Sequence, residues 1–223
     1  MKLLKALQEL HNGTLIVHSQ SICGIIERLC YAGKLDDYTC VTTLATKLQS
    51  MFMSWDEFSG NPEFPIAGSN DLTAQAQFRE CYSCNSYWLG SQGLYRHRLV
   101  RHTIAVLLKE ELLAILKSIK SEVSATDTGI CGNVTVLGRK RNLSFADRTR
   151  MARYAMPLCE TWDNYSGDVF YPVPSGDPKI ISAVQFEMCA DDEHPSKYWE
   201  GKQGELRNSL LTHMIKELSN AVT

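Results

Sequence analysis

Two arginines and two histidines recur in this chain at fixed distances from paired aromatic–glycine blocks. Tyr87-Trp88-Leu89-Gly90 precedes Gln92-Gly93, Arg96 and His102, and Tyr198-Trp199-Glu200-Gly201 precedes Gln203-Gly204, Arg207 and His213. A guanidinium grips phosphate through a planar fork of N–H donors, and an aromatic face stacks on a planar base. Tyr87, Trp88, Arg96, His102, Tyr198, Trp199, Arg207 and His213 therefore form the candidate ligand-binding set, for a small anionic, nucleotide-like molecule. At about 100° per residue, Arg96, Leu99 and His102 fall near 0°, 300° and 240°, sweeping one side of a helix. The same residues also have a structural use: tryptophan and tyrosine wedge loops against a helical core, and glycines supply tight turns. The sequence leaves both uses open.

Catalytic signatures are scarce. The chain has no GxSxG, HExxH, Walker loop or glycine-rich dinucleotide fingerprint. Cys23 and Cys131 stand in matched Ile-Cys-Gly segments and could act as nucleophiles if a histidine reached them. A cysteine inside an apolar Ile-Cys-Gly turn is also ordinary packing, and no residue is assigned a catalytic role. Cys81-x-x-Cys84 lacks a second pair to complete a zinc set, so neither metal nor cofactor is expected. The eight cysteines read as reduced thiols.

A second chemistry belongs to the latter half alone. Arg139, Lys140, Arg141, Arg148, Arg150 and Arg153 make a basic stretch opposed only by Asp147, where the first half offers Lys34 and Lys47. Such a stretch serves either as a solvated helix face or as a docking site for an anion, a phosphate backbone or an acidic partner surface.

The elements that position these residues come in pairs. Ser21-Ile22-Cys23-Gly24 returns as Gly129-Ile130-Cys131-Gly132 at an offset of 108, and Trp55-Asp56-Glu57-Phe58-Ser59-Gly60 as Trp162-Asp163-Asn164-Tyr165-Ser166-Gly167 at 107. Phe64-Pro65 returns as Tyr171-Pro172, Gln77-Phe78 as Gln185-Phe186, and the Tyr-Trp-x-Gly block at 111. The drift falls where the second copy inserts Asp191-Asp192-Glu193-His194-Pro195, which is loop chemistry. The order is conserved from block to block, so the chain reads as a tandem duplication: unit one over 1–108, unit two over 109–223.

Periodicity makes each unit mainly α with long ordered loops. Leu3, Leu4, Leu7 and Leu10 predict a helix over 2–11 stopped by Asn12-Gly13, and Leu112, Leu113, Leu116 and Ile119 repeat the pattern. Helices are expected from Asp36 to Phe52 and from Ser144 to Glu160, the latter with Ser144 as N-cap and Asp147 completing a weak capping box. Asp177-Pro178 opens a helix through Cys189, with a partner starting near Asn70 or Asp71, and each unit closes with a helix after its Gln-Gly pair. No glycine or proline occurs from Leu94 to Thr128, which predicts a long central helix shared by both units.

Composition bounds the rest. The 223 residues are 44% hydrophobic and 22% charged, which excludes a disordered or fibrous chain. With 23 cations against 25 anions, net −2, nucleic acid is not an expected partner. No membrane-spanning run or signal peptide is read, so a cytoplasmic protein is expected, as monomer or homodimer.

The succession of an Ile-Cys-Gly-Asn block, a Trp-x-x-aromatic-Ser-Gly block, Tyr171-Pro172-Val173-Pro174 and Trp199-x-Gly-x-x-Gly-x-x-Arg207 with Leu210-Leu211 resembles a family of small phage-encoded proteins that carry one such unit. The resemblance covers both halves and is closer in the second: the first has Phe64-Pro65-Ile66-Ala67 in place of the Tyr-Pro-Val-Pro run, and Ile25 in place of Asn133. It implies a phage accessory gene, acting in the host cell in takeover or suppression of defence, and fixes no activity. The expectation is a non-catalytic protein that sequesters a nucleotide-like signal. The alternatives are an inhibitor of a host protein working through the basic stretch, and an enzyme that degrades such a signal.

Overall fold

The computed structural model describes residues 1–13, 22–53, 88–121, 129–160 and 199–222. The tryptophan-aspartate blocks, the aromatic–proline segments, Cys81 and Cys84, Tyr87, Tyr198 and the expected helices near 70 and over 177–189 lie outside these residues. Among the described residues the structure is mainly α: α1 (Leu3–His11), α2 (Ile22–Tyr31), α3 (Val41–Met53), α4 (Gly90–Ser121), α5 (Ile130–Lys140), α6 (Phe145–Glu160) and α7 (Gly201–Val222), with no strand. Chain contacts divide it into two compact units, Met1–Leu107 and Leu108–Thr223.

In the first unit, α1 turns Leu3, Leu7 and Leu10 fully inward, as their spacing dictates. Burying each contributes about 2 kcal/mol. A helix leaves its first amides without partners, and here the donor at Leu3 is met from a distant segment. The Leu3 N–H lies 3.0 and 3.1 Å from the two Asp37 carboxylate oxygens. The Met1 ammonium pairs with Asp36 at 3.1 Å and donates to the Lys34 carbonyl. This explains a correction: the helix expected from Asp36 starts at Val41, because Asp36 and Asp37 hold the start of α1 rather than a turn of their own.

A second correction concerns the Ile-Cys-Gly segments. They are not turns but the opening residues of α2 and α5. Ile22, Ile25, Ile26, Leu29 and Cys30 form one buried stripe at the i, i+3, i+4, i+7 and i+8 positions, and α2 packs through it near α3.

Helix α4 has 32 residues and runs without interruption through Leu107 and Leu108, about 48 Å of helix at 1.5 Å per residue. In the second unit, Ile115, Leu116 and Ile119 on α4 are buried, as are Ile130 and Val134 on α5, Met151 and Ala155 on α6, and Leu210 and Met214 on α7. Ser144 caps α6 as its sequence predicts: the Asp147 N–H donates to Ser144 Oγ at 3.1 Å, and that hydroxyl donates to Asp147 Oδ2 at 2.6 Å.

The ends of α2 and α5 share a geometry. Lys34 N–H reaches back to Leu29 O and Gly33 N–H to Cys30 O, with Gly33 at φ +64°. Leu143 N–H reaches Gly138 O and Asn142 N–H reaches Arg139 O, with Asn142 at φ +60°. Both are the doubly bonded helix stop that demands a left-handed residue.

Candidate functional site

The Trp-x-Gly-x-x-Gly-x-x-Arg spacing becomes a helix start. Gly90 and Gly201 sit at φ +65° and +62°, a conformation that an L side chain resists. The first helical bonds follow at once, from Gly93 N–H to Leu89 O and from Gly204 N–H to Glu200 O, each 3.1 Å. The closing helices therefore begin at Gly90 and Gly201, ahead of the Gln-Gly pairs where the sequence predicted their start. The second glycine is required by contact rather than by φ. A Cβ on Gly93 would collide with the Trp88 carbonyl, and one on Gly204 with that of Trp199.

Three residues further on, Arg96 and Arg207 are each only 5% exposed. A charge held this far from water must be engaged, and neither arginine is without a partner. Trp88 and Trp199 are half-buried at the mouths of the two helices, and His102 and His213 are half-buried two turns beyond the arginines. None of these four lacks a partner either. The structure thus places Trp88, Arg96 and His102 along one helix start and Trp199, Arg207 and His213 along the other. Each arginine is buried and engaged one turn beyond the second glycine of its helix start.

The two units differ at a histidine beside the first helix start. His97 lies against Trp88, ring centroids 5.0 Å apart, and meets His11 edge-on at 5.9 Å. Burial lowers its pKa below the ordinary 6.5, so the imidazole stays neutral at neutral pH. The matched residue in the second unit is Asn208. A second difference is Asn133, 2% exposed, whose side-chain amide donates to Gly129 O at 3.1 Å where the first unit has buried Ile25. His97 carried no repeat signal because its counterpart is not histidine.

The basic stretch separates into two groups. Arg141 pairs with Glu111 at 3.0 Å, and Arg148 donates to Leu143 O at 2.6 Å while its guanidinium lies 5.9 Å from the Phe145 ring. Gly138 faces the Arg148 methylenes. Arg139, Lys140, Arg150 and Arg153 are exposed, Arg150 only 3.9 Å from Asp147 Oδ1. Sequence reasoning gave Phe145 no role, yet it is 78% exposed at the head of α6.

Among the described cysteines, Cys30 is buried, Cys131 half-buried and Cys40 exposed. Cys40 sits just before α3, where hydrogen bonds from the Thr43 backbone, then the Thr43 hydroxyl and the Thr42 backbone, lower its pKa below 9.0. Among the described residues no three His, Cys, Asp or Glu side chains gather as a metal site. No helix of the described residues is long and apolar enough to cross a membrane.

No family model matches this chain, and neither a curated protein nor a solved structure is similar to it.

Proposed function

We propose that this protein is a non-catalytic binding protein that sequesters a small anionic, nucleotide-like ligand, as a phage accessory protein acting in the host cytoplasm in takeover or against host defence. The observation that carries the reading is the pair of buried arginines. Arg96 and Arg207, each 5% exposed, follow the same positive-φ glycine at the helix start and the same tryptophan. Two helix starts that each bury an arginine at the same register support a recurring polar role over plain core packing, which an apolar side chain serves at lower cost. The phage setting rests on the motif resemblance alone.

In this reading the guanidinium takes the phosphate and the aromatic residues take the base. Binding is assigned more strongly to the second unit, where Tyr171-Pro172-Val173-Pro174 matches the resembled motif and the first unit has Phe64-Pro65-Ile66-Ala67. Helix start, tryptophan and arginine bind and hold, and no step of bond cleavage is assigned to them.

The test starts from protein purified from cells with and without triggered immune signalling, denatured and filtered, with released small molecules identified by mass spectrometry. A stoichiometric intact nucleotide supports sequestration. A chemically altered one points to an enzyme, and empty protein from both sources overturns the proposal. Arg96→Lys with Arg207→Lys keeps the charge and loses the fork at both helix starts, and is expected to lower ligand content at least about tenfold with the helical circular dichroism unchanged.

A further inference from the structure

The corner between α5 and α6 offers an independent surface. Six cations and one carboxylate between Arg139 and Arg153 give that stretch a charge of +5, so the rest of the chain carries −7 against a total of −2. The matching stretch of the first unit, residues 31–45, holds Lys34 against Asp36 and Asp37 and has a net charge of −1. On α6, Phe145, Ala146, Arg150, Arg153 and Pro157 are exposed, within an arc of about 140° at 3.6 residues per turn. Asp147 is turned inward, 4% exposed, so no carboxylate interrupts the arc between Phe145 and Pro157. Arg139 and Lys140 extend the charge onto the end of α5.

The corner is also rigid. Asn142 closes the helix stop, Ser144 caps α6, and Arg148 ties the Leu143 carbonyl while lying over the Phe145 ring. Phe145 nonetheless stays 78% exposed. Arginine and aromatic side chains together, preorganised and ringed by further cations, are the composition of a protein-interface centre. A long polyanion fits less well, because attraction fades beyond about 8 Å at physiological salt and the remaining chain is net negative.

We infer that the α5–α6 corner, through Phe145, Arg139, Lys140, Arg150 and Arg153, docks an acidic protein segment that carries an apolar residue to cover Phe145. The carboxylates meet the exposed cations, and the apolar residue removes the ring from water. The inference does not depend on the role of Arg96 and Arg207.

The test is fluorescence anisotropy of the full chain at low salt with a labelled peptide of about a dozen residues, Glu- and Asp-rich with a central leucine pair. The same peptide with Gln and Asn, and a thymidine oligonucleotide of equal length, are the comparisons. The acidic peptide is expected to bind at least about tenfold tighter than its neutral form, with affinity falling as salt rises. Arg150→Glu with Arg153→Glu removes that advantage, and Phe145→Ser weakens binding severalfold while leaving the salt dependence unchanged. All three residues are exposed, and unchanged thermal melting confirms that the fold is kept. Equal binding of acidic and neutral peptides, or indifference to the charge reversal, overturns the inference. So does an equal loss from Lys34→Glu with Lys47→Glu. Tighter binding of the oligonucleotide, lost on the same Arg150 and Arg153 reversal, overturns it in favour of a nucleic-acid surface.

Discussion

The first helix of unit one and the matching stretch of unit two solve the same problem by different means. In α1 the chain enters a helix from outside, and Asp37 must reach across to the Leu3 amide. In unit two the matching leucine, Leu112, lies inside α4, where the preceding turn already accepts its amide hydrogen bond. What remains there is a side-chain ion pair, Arg141 to Glu111 at 3.0 Å, between the end of α5 and the interior of α4. A shared pattern of apolar residues therefore does not imply shared polar contacts: those follow from whether a helix begins or continues.

Substitutions can break or sharpen this comparison. The largest effect is expected where the units agree. Gly93→Ala and Gly204→Ala each drive a methyl into a tryptophan carbonyl, and each should cost about 3 kcal/mol in urea unfolding. A large loss from one and none from the other would separate the two helix starts.

Next come the positions where the units differ. Asp37→Ala should cost about 1 kcal/mol, the worth of an N-cap, and Ser144→Ala a similar amount at α6. Glu111→Ala should cost about 0.5 kcal/mol, because the pair it breaks is partly solvated, with side chains 34% and 25% exposed. If Glu111→Ala proves the costlier, the ion pair is more than a substitute for the cap.

A smaller contrast lies at the helix stops. Gly33→Ala should destabilise by about 1 kcal/mol, since its φ of +64° is unfavourable for alanine. Asn142→Gly should stabilise by about 0.5 kcal/mol at φ +60°, because glycine meets no Cβ penalty there. Thermal melting of both variants would show opposite shifts.

The smallest expected effect is the pH response of His97. Its pKa is lowered by burial in the folded chain, so the unfolded chain binds the proton first as pH falls. Stability contributed by the neutral ring is complete above about 6.5 and declines as pH drops below that value toward the lowered folded pKa. His97→Asn, which installs the residue of the second unit, should flatten that part of the stability profile. An unchanged profile would mean that the ring is not the source.

Much of the architecture was readable because it repeats at helical spacing. The leucines of α1 and their counterparts on α4 mark their buried faces directly, and Ser144 with Asp147 announces the start of α6. The helices α2 and α5 were hidden by glycines: Gly24 and Gly132 suggest turns, although the stripe from Ile22 to Cys30 carries the same period as α1. The start of α3 was hidden for another reason. Asp36 and Asp37 look like helix caps in sequence, but their partners are at residues 1 and 3, a pairing that no local pattern encodes. Of the candidate site, the glycines and arginines announced themselves by recurring, whereas His97 and Phe145 matter through what they touch or leave uncovered.

The uninterrupted run of α4 also makes the two units non-interchangeable. A chain opened at Leu108 would leave a turn of amide donors unanswered, and the residues in the place of Asp37 could not answer them. Ser144 is already engaged by Asp147, and the neighbouring Phe145 has no acceptor to offer. Reversing the order of the units would thus need a new carboxylate at the head of the displaced one. Position along the chain is written into single polar residues, even where the apolar skeletons match.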